Sequence, residues 1–144
     1  MRKMWEYEHS VVTSASPGAV WAHWSDVAAW PGWNDGVEKI EIHGPFAVGT
    51  TFTMTPPGDD PVHMRLTEVR PGELFTDEAD GGEFVVRTIH RLEPAGDGRT
   101  RIIYRTEITG PAAGTIGPQI GPEITADFPE VLAALAKVAE GAEG

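Results

Sequence analysis

His90 and Tyr104 are the side chains whose type and placement best suit proton chemistry. An imidazole titrates near neutral pH, and beside a phenol in a buried setting it can serve as a general acid or base. Both residues fall on segments of alternating polarity. In 84–93, Phe84, Val86, Thr88, His90 and Leu92 share one parity, and Val85, Arg87, Ile89 and Arg91 share the other. In 100–109, Ile102, Tyr104, Thr106 and Ile108 stand against Arg101, Ile103, Arg105 and Glu107. Arginines belong on the solvated side of a sheet, so His90, Tyr104, Thr88 and Thr106 are expected to point inward. The plainer role for the pair is structural, a core histidine bonded to a hydroxyl and a tyrosine whose ring packs. For catalysis that plainer role is preferred.

Other candidates are weaker. Asp77 and Glu78 are adjacent on a short strand, so one carboxyl faces each side. An inward one would have its pKa raised by desolvation and could act as a base, although solvation is the expected fate of both. His63 and Arg65 turn inward only if their strand bulges, and otherwise face water. Glu123 and Asp127 stand four apart on a helix, but no His joins them at ligand spacing. They are expected to be solvated carboxylates near the positive end of the helix dipole. The five His are scattered one per element, so no metal site is expected. A P-loop, a dinucleotide glycine pattern and a GxSxG elbow are all absent.

The elements that must position these groups are legible. Residues 4–14 alternate as a strand. Ser16 and Pro17 start a helix whose stripe is Val20, Trp21, Trp24, Val27 and Ala28, and a second short helix ends at Trp30 before Pro31. Strands follow at 37–43, 50–55, 62–69, 74–79, 84–93 and 100–109, separated by Gly, Pro, Asn and Asp turns. Short connections imply an antiparallel meander. The stretch 110–118 reads as a loop. Ile120, Ile124, Phe128, Val131, Leu132, Leu135 and Val138 then mark a long amphipathic helix, kinked at Pro129 and ended by Gly141.

Composition narrows the possibilities. The chain has 144 residues, enough for one domain with a real core. The absence of Cys removes disulfides, Cys-zinc sites and thiol nucleophiles. The net charge of −11 opposes binding to nucleic acid or anionic membranes. No apolar run is long enough for a membrane span, and Met1, Arg2 and Lys3 are not followed by a signal-peptide core. A cytoplasmic protein is therefore expected. All five Trp lie in the first 33 residues.

Several segments carry a resemblance. These are Ser16-Pro17-Gly18-Ala19-Val20-Trp21, Ser25-Asp26-Val27, Trp30-Pro31-Gly32-Trp33, Val48-Gly49-Thr50-Thr51-Phe52, Thr67 to Leu74, Gly98-Arg99-Thr100-Arg101-Ile102 and Phe128 to Leu135. In this order they resemble the SRPBCC (START-like) superfamily, and most closely its polyketide cyclase/dehydrase and lipid transport group. The resemblance implies an α+β helix-grip fold over residues 1–144: a seven-stranded curved antiparallel sheet around a long C-terminal helix, with two short helices after strand 1. It also implies a cavity between sheet and helix for a small hydrophobic or aromatic ligand, in a carrier or sensor. Expected ligand contacts are Trp30, Trp33, Phe52, Met54, Met64, Phe84, Val86, Thr88, Thr106, Ile124, Phe128 and Leu132, with Trp5 remote from the ligand. The same scaffold hosts cyclases, aromatases and dehydratases, so a cofactor-independent enzyme using His90, Tyr104 and an inward carboxylate is the alternative. A co-chaperone-like interaction module is a further one. No cofactor is expected, and the chain is expected to be a monomer or homodimer.

Overall fold

The computed structural model describes residues 4–143; Met1, Arg2 and Lys3, read above for a signal, lie outside the described residues. Seven strands form one antiparallel sheet: β1 (Trp5–Thr13), β2 (Lys39–Ile42), β3 (Thr51–Thr55), β4 (Val62–Arg70), β5 (Leu74–Asp80), β6 (Val85–Pro94) and β7 (Thr100–Thr109). Their spatial order is β1-β7-β6-β5-β4-β3-β2, a meander with β1 added beside β7. Between β1 and β2 lie α1 (Pro17–Ser25) and a 3-10 turn over Val27–Gly32. The Ser16 hydroxyl caps α1 by accepting from the Ala19 N–H at 3.1 Å, and Pro17 occupies the first turn where no donor is needed.

The carboxy-terminal helix differs from expectation at both ends. Helix α2 spans Ala113–Thr125, starting inside the stretch read as a loop, and α3 spans Phe128–Glu143, running past Gly141. The break falls at Ala126 and Asp127, just ahead of Pro129, which sits in the first turn of α3 where it is tolerated. Three Gly and two interior Pro within α2 suppress its intrinsic propensity; packing overrides it. Ala113, Gly117, Gly121 and Thr125 form the buried side of α2, and Trp5 lies against it. A Cβ on Gly117 or Gly121 would come within 2.5 Å of Trp5, so the ring needs a groove that only glycine leaves open.

Two cores result. The larger joins Val20, Trp24, Trp30, Phe52, Leu66, Phe75, Tyr104, Phe128, Leu132 and Leu135 between the concave sheet face, α1 and α3. The smaller lies under α2, where Val86, Ile108 and Ala113 pack with Trp5, Ala79, Phe84, Ile116 and Ile120. The far end of α3 is tied to β1 by the Thr13 hydroxyl donating to Glu140 at 2.6 Å.

Candidate functional site

Register places the inner side chains in rows that run across the strands. One row is Tyr7, Thr106, Thr88, Asp77 and Leu66; the next is His9, Tyr104, His90, Phe75 and Val69. Leu66 and Val69, three apart, both join the inner core because the register of β4 shifts between Leu66 and Glu68. Such an extra residue reverses the alternation downstream. The bulge follows His63 and Arg65, which stay exposed on the other face.

The second row is a packed group of rings. Phe75 stacks on His90 with centroids 3.9 Å apart and planes 7° from parallel. Tyr104 meets His90 edge-on at 4.6 Å, and Trp24 meets Phe75 edge-on at 5.2 Å. The Trp24 indole N–H donates to the Tyr104 hydroxyl at 3.1 Å, which leaves the phenol proton for another acceptor. A carbonyl can only accept, so the His90 Nδ1–H donates to the Phe75 carbonyl at 3.2 Å, which sets the tautomer. Burial holds the His90 pKa down at about 3, against the backbone acceptors of Phe75 and Thr88, which favour the charged ring. Burial likewise pushes the Tyr104 phenol above its ordinary range. The inward orientation expected for both residues is present, and at neutral pH His90 is a neutral packing group.

Asp77 departs from the solvated fate expected of it. It is 5% exposed, on the same inner parity as Phe75, and its Oδ1 has no hydrogen-bond partner. Burial, with a smaller contribution from the Glu78 charge, pushes its pKa up to about 8. Glu78 faces outward and pairs with Arg87 at 2.7 Å. Beside Asp77, the Thr88 and Thr106 hydroxyls bond each other at 2.9 Å. Thr106 is fully buried, whereas Thr88 keeps partial exposure on the concave face, as do Tyr7, Met54 and Met64.

The other expected contacts divide. Trp30, Phe52, Phe128 and Leu132 are buried in the larger core, where the Trp30 N–H donates to the Trp24 carbonyl at 3.1 Å. Trp33 packs against the same core, and its Nε1 is buried without a partner. Phe84 and Val86 belong to the smaller core under α2, away from the ring group, because the Phe84 row points at α2 and not at α3. Ile124 is a correction: it is 37% exposed, because the break after Thr125 takes it out of phase with Phe128 and Leu132. Asp127, expected to be solvated, is half-buried against Gly36, where a Cβ would come within 2.5 Å of its carboxylate; burial raises its pKa. Glu123 is exposed as expected. Among the described residues, no group of three or more His, Asp or Glu side chains could hold a metal ion. A hollow of about 300 Å³ lined by Met4, Arg87, Glu107 and Thr109 lies on the opposite, ion-paired face of the sheet, remote from these rows.

Asp77 is the residue that sequence reasoning undervalued. The available signal was its pairing register, which a seven-residue strand between two turns does not specify alone.

Comparisons with known proteins agree with this architecture. The family model for polyketide cyclase / dehydrase and lipid transport matches residues 4–140. Norcoclaurine synthase of Thalictrum flavum, a point mutant with a transition-state analogue, is similar in structure at TM-score 0.79 and 21% identity, covering 100% of this chain and 99% of that one. The Zhui aromatase/cyclase of Streptomyces sp. R1128 is similar at TM-score 0.78 and 16% identity, covering 96% and 94%. Ara h 8.0201 is similar at TM-score 0.75 and 13% identity, covering 96% and 99%. A search of curated proteins finds no match. No helix among the described residues is long and apolar enough to cross a membrane.

Proposed function

Because the chain belongs to the polyketide cyclase / dehydrase and lipid transport family, we propose that it binds a small hydrophobic or aromatic molecule between the concave sheet face and the carboxy-terminal helices, as a carrier or sensor. The observation that carries this reading is the partial exposure of Thr88 on an inner face flanked by apolar walls. Thr88 is a partly exposed hydroxyl among apolar side chains, and such a mixture of apolar lining with few polar groups is what small-molecule sites offer. Trp30, Trp33, Met54, Met64 and Phe128 supply the apolar contacts in this reading, and the fully buried Leu132 packs behind them. Thr88 supplies a hydroxyl, which the fully buried Thr106 holds in place from behind. We further propose a cytoplasmic protein, monomeric or homodimeric, with no nucleic-acid partner; the net charge of −11 supports the last point.

An environment-sensitive apolar dye tests the reading. Purified protein is expected to bind it, and a flat hydrophobic compound is expected to displace it with a change in Trp fluorescence. Failure to bind across a broad hydrophobic panel would overturn the carrier reading.

A second reading, a cofactor-independent cyclase, aromatase or dehydratase, is favoured by one observation. Asp77 changes protonation near pH 8, within the range where an acid or base is useful, whereas His90 titrates far below it. The acid/base role therefore moves from His90 to Asp77, with Tyr104 as a hydrogen-bond donor. Turnover of a candidate polyketide that is abolished in Asp77→Asn and retained in His90→Gln supports it; equal rates in wild type and Asp77→Asn remove it.

A further inference from the structure

Asp77 lies in a part of the molecule where no positive charge balances it. Glu78 on its own strand faces the other side and is paired with Arg87. On β6 the nearest titratable group is His90, neutral through burial, and on β7 it is Tyr104, also neutral. From the break between α2 and α3 comes another carboxyl, Asp127, close enough to act on Tyr104 along with Asp77. The β4 neighbour is Leu66. Of the 11 Lys and Arg, Arg2 and Lys3 lie outside the described residues, and none of the other nine is buried. Arg65, Arg87, Arg91, Arg101 and Arg105 all share the outer parity of their strands.

A carboxylate without a counter-charge is expensive in a low-dielectric interior, and the group answers by keeping its proton. A protonated carboxyl is a hydrogen-bond donor as well as an acceptor, unlike the ionised form. Asp77 holds such a group beside the partly exposed Thr88, with its buried Oδ1 unengaged by the protein.

We infer that the inner site selects an apolar or aromatic molecule bearing an uncharged carbonyl oxygen, which accepts a hydrogen bond from the Asp77 carboxylic acid, and that it rejects molecules bearing a carboxylate. The inference rests on the ligand-binding reading above and narrows its ligand class. A carboxylate ligand would add a negative charge to a space already holding Asp77 and Asp127, with no cation to receive it. A fatty-acid anion is therefore the wrong kind of cargo for this chain.

The experiment compares matched probes by isothermal titration at pH 6.5: 2-acetylnaphthalene, 2-ethylnaphthalene, 2-naphthoate and 2-(2-naphthyl)ethylamine. The ketone is expected to bind roughly tenfold tighter than the hydrocarbon, as one hydrogen bond to a buried group allows, and naphthoate more weakly than either. Asp77→Leu is expected to erase the ketone's advantage while the hydrocarbon still binds. Asp77→Asn, which keeps a donor, retains part of it. Raising the pH to 9.5 is expected to shrink the advantage in wild type and leave it unchanged in Asp77→Asn. Equal binding of ketone and hydrocarbon overturns the inference while leaving the carrier reading intact. So does naphthoate binding as tightly as the ketone, or an amine preference that grows with pH, which would make Asp77 a counter-ion. If no probe binds wild type, this inference fails, and the carrier reading fails with it only if the dye and the broad hydrophobic panel also fail to bind. Circular dichroism of both variants checks that each is folded.

Discussion

Asp77 and Glu78 are consecutive carboxyls on one strand, and the two faces of the sheet give them opposite chemistry. Glu78 meets water and an arginine, and β6 and, beyond it, β7 continue the pattern on the same face with Arg91 on Glu93 and Arg105 on Glu107. Asp77 pairs with Leu66 and Thr88, one row along the sheet from the ring group of Phe75, His90, Tyr104 and Trp24, and no cation faces it. The outer face holds charges that partner one another in a high dielectric, where each pair is worth little. The inner face holds few polar groups, each of which matters because leaving one unpaired is costly there. Environment, more than residue type, sets what a carboxyl on this sheet can do.

The difference can be broken most forcefully from the inside. Trp24 is fully buried and links α1 to Phe75, His90 and Tyr104, so Trp24→Ala is expected to cost about 3–5 kcal/mol in urea unfolding. Gly121→Ala puts a methyl against the Trp5 ring and is expected to cost about 1–3 kcal/mol through overpacking. Combining it with Trp5→Leu should give less than the sum of the two losses, and additive losses would mean the groove is not what limits position 121.

A pH titration of stability sharpens the comparison further. Asp77 has a folded pKa of about 8 against an ordinary value of 3.8, so the folded state holds its proton more tightly and stability falls as pH rises between those values. His90 has a folded pKa of about 3 against an ordinary 6.5, so the unfolded state holds its proton more tightly and stability rises between those values. The two trends oppose each other from about pH 4 to 6.5, and Asp77 acts alone from there to about 8. Stability is expected to decline across that upper window by at most about 2 kcal/mol. Asp77→Asn should abolish the decline; a decline that persists in the variant assigns it to another group. The outer face gives the smallest response. Arg91→Ala, which leaves Glu93 in water, is expected to change unfolding free energy by less than about 1 kcal/mol, and a larger loss would mean that the outer pairs act as a network.

Much of the architecture was legible because alternation and turn residues are local signals. The parity of β6 and β7 put His90, Tyr104, Thr88 and Thr106 on the inner face, and arginines on the alternate positions left little choice. Ser16 and Pro17 likewise announced α1. The places where reading failed are those where a distant contact prevails. Helix α2 begins inside a Gly- and Pro-rich stretch because Trp5, more than a hundred residues earlier in the chain, fills a groove that those glycines create. A single helical phase carried from Ile120 to Val138 puts Ile124 in the interior, but the helix breaks at Ala126 and Asp127 and the phase does not survive.

Taken alone, the sequence determined the order of elements, the antiparallel meander and the family, since alternation, capping and turn chemistry act over a few residues. It also determined that any inner site would be poor in cations, because the arginines alternate with the core residues on their strands. Only the tertiary structure decided that Asp77, and not Glu78, is the inward carboxyl. That choice follows from the register of β5 against its neighbours on both sides, and a slip of one residue would exchange the two. Its protonation is decided there too, since a desolvation cost exists only once β4, β6 and the ring group have closed around the carboxyl and displaced its water.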